Sequence, residues 1–337
     1  MYIRLFIMLV VAVALSSAEA AGSAAPSWAQ REIVVATSNG FFGGNAKAFR
    51  PDAALTQAEL AEVVSRLQGR PAAAPARPDA PITLAVFDAH VVRALGLSNA
   101  ATRFSSAARA AALAPPSRFG TEVVARMLGL RVNHPAPQDA LELLPGDPIT
   151  RAEAAFSVAR ILALPQGAGD VVNAAAAQFA VPALTEPQRL VLRTAVSFIG
   201  YPYVWGGEFE RPDSSYGPQP QGGFDCSGFA WRVFKLQTYA ALPLLDKTLR
   251  GRTTMAMAGE VPLPQRLRAA KVAPADLLFF GEEGPKSKPA QIGHMAIALG
   301  NGWLIQSSTF GVTLAPVTGW YARRFAWARR PLTEAGL

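Results

Sequence analysis

The sequence predicts an α+β protein in two parts: a mainly helical region, then a domain in which a helix bearing the one cysteine lies on an antiparallel sheet. Three observations predict it. Two distant segments share a proline-led helix start, Thr56 with Glu59 and Thr150 with Glu153. A helical face opens at Cys226, with Phe229, Val233 and Phe234 in phase. Further on, HMAIALG and WLIQSS flank the turn at Gly300, Asn301 and Gly302 as a hairpin.

Residues 1–20 read as an export signal. Arg4 gives a basic start, Leu5 to Leu15 is apolar, and Ala18-Glu19-Ala20 is a small-residue cleavage site, so the mature chain is expected from near Ala21. The apolar run is short for a bilayer, and no later stretch reaches about eighteen uninterrupted apolar residues, so no retained transmembrane segment is expected. The expected location is outside the cytoplasm, secreted or in the cell envelope (wall or periplasm).

Residues 21–164 form the helical region. FRPDAALTQAELAEVVSRL and LPGDPITRAEAAFSVARIL each place proline five positions before a threonine that precedes a glutamate by three. That is a capping box: the hydroxyl accepts from a first-turn N–H while the glutamate reaches back to the threonine N–H. Leu60, Val63, Val64 and Leu67 then share one face; Phe87 to Leu97 and Thr121 to Leu130 add helical segments. The two segments resemble the closing half of S-layer homology repeats, with Thr150-Arg151-Ala152-Glu153 the better match and Gln57 replacing the arginine in the first. Two copies are recognised. The resemblance implies a module that holds anionic cell-wall polymer; the plainer reading is a helical domain that packs on its neighbour. Residues 165–184, rich in Ala, Gly and Pro, read as a linker, and 185–337 as the second domain.

The formal charge of +8 favours anionic surroundings. No basic stripe interleaved with aromatics is present, which argues against nucleic acid. One cysteine permits no internal disulfide, and a single thiol in an exported chain is reactive or paired between molecules. No cluster of His, Cys and acidic residues suggests a metal, and no cofactor is expected.

Cys226 is placed at a helix start, where free N–H groups and the peptide dipole lower a thiol's pKa; Gly228 leaves room beside the sulfur for a substrate backbone. A thiolate needs a base. Of the three histidines, His90 and His134 lie in the helical region, whereas His294 opens a strand of the second domain. Register decides its neighbours. A two-residue loop at Asn301-Gly302 sends His294 away from Gln306, whereas a three-residue loop, 300–302, pairs Ala296 with Gln306 and leaves both on one face. The three-residue loop is expected, with Gln306 fixing the tautomer of the imidazole.

The ordered set YPYVWGG, FDCSGF, RTT at 252–254, ADLLFF, GHMAIALGNG and LIQSS resembles the NlpC family of papain-like cell-wall cysteine peptidases across nearly all of the second domain. The resemblance implies a papain-like fold and an endopeptidase for peptidoglycan stem peptides, cutting between γ-linked D-glutamate and a diamino acid. By similarity Cys226 is the nucleophile, His294 the base and Gln306 the orienting residue; Tyr203 lines the cleft, and Asp225 and Ser227 match positions that hold the free amine and backbone of the stem. A neutral glutamine stabilises an imidazolium less than histidine does, so lower activity is expected. Residues 208–221 lengthen the loop before the nucleophile as a lid or wall. Two other readings use the same residues: a wall-binding protein with a degenerate peptidase domain, and a Cys-His amidase or acyltransferase.

Overall fold

The computed structural model describes residues 27–131 and 142–337. The expected export signal and His134 lie outside the described residues. The helical region contains α1 (Gln30–Ser38), α2 (Gln57–Gln68), α3 (Leu84–Ala94), α4 (Ser98–Ala110), α5 (Phe119–Met127) and α6 (Arg151–Leu162).

Both threonines cap their helices, and at α2 the glutamate completes the box. Thr56 Oγ1 accepts from the Glu59 N–H at 3.3 Å, and Glu59 Oε2 accepts from the Thr56 N–H at 3.0 Å. At α6 the Thr150 hydroxyl accepts from the Glu153 N–H at 3.2 Å, and the Glu153 carboxylate faces Arg131 at 3.4 Å. A third start joins these two: Thr83 caps α3 by accepting from the Val86 N–H. The three leads close a ring. The Leu55 N–H donates to Ile149 at 2.8 Å, Ile149 to Ile82 at 3.0 Å, and Ile82 to Leu55 at 3.1 Å. The expected two copies are therefore three. Pro81-Ile82-Thr83 repeats Pro148-Ile149-Thr150, but Val86 stands where the others carry glutamate, so the capping-box pattern misses it. Arg151 ties the last copy to the first through an ion pair with Glu59, its guanidinium 4.8 Å from the Phe49 ring centre.

The stretch read as a linker holds α7 (Ala168–Gln178), which buries Val172 and Ala176. Phe179 follows and packs against Phe104 of α4 at 5.2 Å and Trp303 at 5.0 Å between ring centres. Apolar burial thus runs continuously from the helical region into the sheet.

The second domain contains α8 (Glu186–Ser197), β1 (Glu208–Phe209), β2 (Gly223–Phe224), α9 (Cys226–Trp231), α10 (Thr254–Gly259), β3 (Leu277–Gly281), β4 (Ile292–Gly300), β5 (Trp303–Ser308), β6 (Gly311–Pro316), α11 (Gly319–Arg324), β7 (Phe325–Arg329) and α12 (Pro331–Glu334). Five strands form an antiparallel sheet in the order β6-β5-β4-β3-β7. Alternation sorts its faces: Met295, Ile297 and Ile305 join the core of Phe229 and Val233, while Ala296, Leu304 and Phe280 pack on the other side.

The β4–β5 turn corrects one expectation. Ile297 faces Ile305 and Ala298 faces Leu304, the register required for Ala296 to lie opposite Gln306. The loop, however, has two residues, because Gly300 pairs with Trp303 and an irregularity falls between Ala298 and Gly300. Asn301 and Gly302 have φ of 50° and 75°, as a tight primed turn demands. The bulge supplies the odd residue that the loop does not.

The helical region is tied to the second domain by two arginines, half-buried Arg118 and buried Arg126. Arg118 donates to the carbonyls of Ile199 at 2.9 Å and Ser197 at 3.1 Å, satisfying groups at the end of α8. Arg126 donates to the carbonyls of Gly200 and Phe310 and pairs with Glu142 at 2.8 Å. Beside it, burial reinforced by Asp88 pushes the Glu122 carboxyl up to about 7. Among the described residues no helix is long and apolar enough to cross a membrane.

Candidate active site

Asp225 caps α9 and builds the turn that carries the thiol. Its carboxylate accepts from the Gly228 N–H at 2.5 Å, the Gly206 N–H at 2.9 Å and the Ser227 hydroxyl at 3.0 Å. The space beside Gly228 is not left for substrate, as the sequence suggested. A side chain there would overlap the Gly207 carbonyl and the Arg252 guanidinium, so the glycine permits this close backbone approach.

Arg252 is the residue that the sequence reading missed. It donates to Glu208 at 2.6 Å, to Asp225 at 3.1 Å, to the Ser227 hydroxyl at 2.8 Å and to the Gly207 carbonyl at 3.2 Å. One planar fork thereby joins β1, the cap of α9 and the start of α10. Glu208 also accepts from the Ser215 N–H at 2.6 Å, which folds residues 208–221 against the site as a wall. The RTT motif was visible, but its partners are distant in sequence. Thr254 of that motif lies 3.4 Å from Cys226 Sγ, hydroxyl to sulfur.

A pocket of about 870 Å³ opens on Cys226, lined among others by Tyr203, Asp225, Ser227, Thr254 and Gly293. Tyr203, Asp225, Cys226 and Ser227 are therefore together. His294 and Gln306 form a second group: Nε2 lies 2.6 Å from Gln306 Oε1. The amide oxygen only accepts, so Nε2 carries the proton and Nδ1 is left with its lone pair. Gln306 is itself held, its amide NH₂ donating to the Tyr321 hydroxyl. The imidazole stacks on Phe280 at 5.9 Å and meets Trp320 at 6.0 Å between ring centres. Among the described residues no hydrogen bond joins Cys226 to His294. The thiol instead feels the backbone N–H of Met295, the residue after His294 on β4.

The resting charges also depart from expectation. Burial, reinforced by Asp225, pushes the Cys226 thiol up; the Thr254 hydroxyl and the backbone N–H groups of Met295 and Ser227 act oppositely without prevailing. Burial lowers His294, with the Gln306 bond opposing. Desolvation thus outweighs the helix start, whose regular α-turns end after six residues. Both shifts favour a neutral thiol and a neutral imidazole. Iodoacetamide is therefore expected to alkylate Cys226 at pH 7 no faster than free cysteine, with the rate still climbing past the usual thiol value of 9.0. A plateau already reached below pH 7 would reveal a preformed thiolate and overturn this charge assignment. The acid limb of kcat/KM should lie below the usual imidazole value of 6.5.

Comparison with known proteins places these features. The NlpC/P60 family pattern matches residues 200–330, and the S-layer homology pattern matches residues 21–61. The γ-D-glutamyl-L-lysine dipeptidyl-peptidase of Bacillus subtilis (strain 168) is 32% identical over 129 residues, covering 38% of this chain and 34% of that protein. The peptidoglycan endopeptidase RipA of Mycobacterium tuberculosis is 28% identical over 131 residues, covering 38% of this chain and 24% of its own. The match to these curated relatives spans about a third of their length or less. Among solved structures, the NlpC/p60 domain of the peptidoglycan hydrolase SagA is 28% identical, with a TM-score of 0.30 over 42% of this chain and 97% of that one.

Proposed function

We propose, from an NlpC/P60 domain at residues 200–330 that follows an S-layer homology region, that the chain is an exported peptidoglycan endopeptidase of the cysteine type. The bond proposed is the one between γ-linked D-glutamate and the diamino acid of a stem peptide. The observation that carries the reading is the His294–Gln306 bond at 2.6 Å, which leaves Nδ1 as an acceptor on the strand next to the thiol. In the proposed reaction Nδ1 takes the Cys226 proton as Sγ attacks the carbonyl, then returns it to the leaving amine; water hydrolyses the thioester with the same base. The Cys226–His294 contact forms on substrate binding, as catalytic hydrogen bonds often do.

The proposed division of labour is a wall-holding region at 21–164, a junction at 165–184 and a peptidase domain at 185–337, in the cell envelope after removal of residues 1–20. Tyr203, Asp225 and Ser227 are assigned to the substrate pocket, Asp225 and Ser227 through the turn they build. A second reading, a non-catalytic holder of stem peptides, is favoured by the missing Cys226–His294 bond in the described structure. Digestion of purified peptidoglycan followed by mass analysis, with Cys226→Ala as control, separates these readings. The expected product is a glycan-linked dipeptide ending in D-glutamate. Release of whole stems would indicate an amidase, and products identical to those of Cys226→Ala would leave only the holder.

A further inference from the structure

We infer that the cavity between the helical region and the sheet is a binding site for an amphipathic monocarboxylate, a molecule with one carboxylate head on a hydrocarbon body. Among the described residues this cavity shares no lining residue with the pocket that opens on Cys226, and the inference does not rest on the peptidase reading.

The cavity measures about 560 Å³, within the range of small-molecule sites. Leu164 and Val171 line it from the helices, and Phe310 and Leu314 from the sheet. Val171 is 70% exposed and Phe310 40% exposed, so apolar surface here stands in water. The polar groups in the same walls are hydrogen-bond donors. Thr313 is only 5% exposed, and its hydroxyl has no hydrogen-bond partner among the described residues. It lies opposite Gln306 in the β5–β6 register, so the two side chains share a sheet face. Gln306 donates its amide N–H to the Tyr321 hydroxyl, whose own hydrogen meets no acceptor among the described residues. Burial holds that phenol in its protonated form.

A buried hydroxyl left unpaired is costly, so walls that present two such hydrogens complement a ligand that accepts. Charge selects the kind of acceptor. Arg160, on α6, donates its Nε–H to the Gly129 carbonyl at 3.2 Å and meets no carboxylate among the described residues. Arg126, the other cation lining the cavity, is committed to Glu142 and to the carbonyls of Gly200 and Phe310. Among the described residues no acid lines the cavity. One uncommitted guanidinium balances one negative charge, whereas a phosphate dianion would keep an unpaired charge partly out of water. Two hydroxyl donors and a guanidinium suit the two oxygens of a carboxylate, and the apolar walls suit a hydrocarbon body.

The test is calorimetric titration of the full chain with decanoate, decanol and acetate. Decanoate is expected to bind at least about ten-fold more tightly than either, because decanol lacks the charge for Arg160 and acetate lacks the apolar body. Thr313→Val keeps the shape of the side chain and removes the unpaired hydroxyl. It should weaken decanoate about ten-fold with the melting temperature unchanged, the usual effect of losing a hydrogen bond to a charged group. Arg160→Gln should weaken decanoate by a similar factor and leave decanol unaffected. Decanoate that fails to bind, that binds no better than decanol, or that is held as tightly after either substitution overturns the inference. None of these readouts depends on turnover at Cys226.

Discussion

Replacing His294 with alanine is expected to lower kcat/KM on a stem peptide by about 10⁴-fold, the upper end of what a positioned general base contributes. The upper end follows from the thiol. A peptidase that rests as a thiolate keeps a reactive nucleophile after its base is lost, whereas burial here holds Cys226 protonated. Without Nδ1 there is no acceptor for the thiol proton and no donor for the leaving amine. Gln306→Ala should cost less, about 10–100-fold, because the base remains but its Nε2–H partner at 2.6 Å is gone. Steady-state rates on a defined peptide, with melting temperatures as a control for folding, check both. Retention of His294→Ala activity within ten-fold of wild type would mean that another group takes the proton.

Arg252→Met is expected to destabilise the second domain by about 3–5 kcal/mol, the usual cost of stranding buried partners of an ion pair. The side chains of Glu208 and Asp225 are only 3% and 11% exposed, and Arg252 is 10% exposed, so water cannot replace the guanidinium. Activity should fall with stability, since Asp225 also holds the cap on which Cys226 sits. Two further variants isolate the cause. Arg252→Lys should recover only part of the loss, because an ammonium cannot span Glu208, Asp225, Ser227 and the Gly207 carbonyl at once. Glu208→Gln added to Arg252→Met should relieve one unpaired charge and raise the denaturation midpoint. A melting temperature for Arg252→Met indistinguishable from wild type would refute the buried-charge account.

The features read correctly from sequence are those whose causes are local. A threonine three residues before a glutamate places the start of α2 through bonds made within one turn, and Thr56 makes them. Alternation of apolar residues places His294 on β4 and Gln306 on β5. A helix begins at Cys226 because Asp225 caps it from the adjacent position. Where a feature lacks its local mark, the reading fails: Thr83 starts the third copy without a glutamate, and only its ring of hydrogen bonds with Leu55 and Ile149 reveals it.

Length of chain between partners sets the remaining limit. Arg252 meets Asp225 across 27 residues and Glu208 across 44, and Arg126 reaches Phe310 across 184. No periodicity records such pairings. The hairpin loop was misjudged for a related reason, since a bulge can carry the residue that loop length is expected to supply. Sequence by itself placed Cys226 at a helix start and His294 and Gln306 on the strands β4 and β5, in the order of elements that the fold shows. Only the tertiary structure decided the thiol's resting charge, because desolvation depends on what the whole fold packs around the sulfur. The same holds for Asp225: its carboxylate looks available in the motif, and the folded chain has already satisfied it.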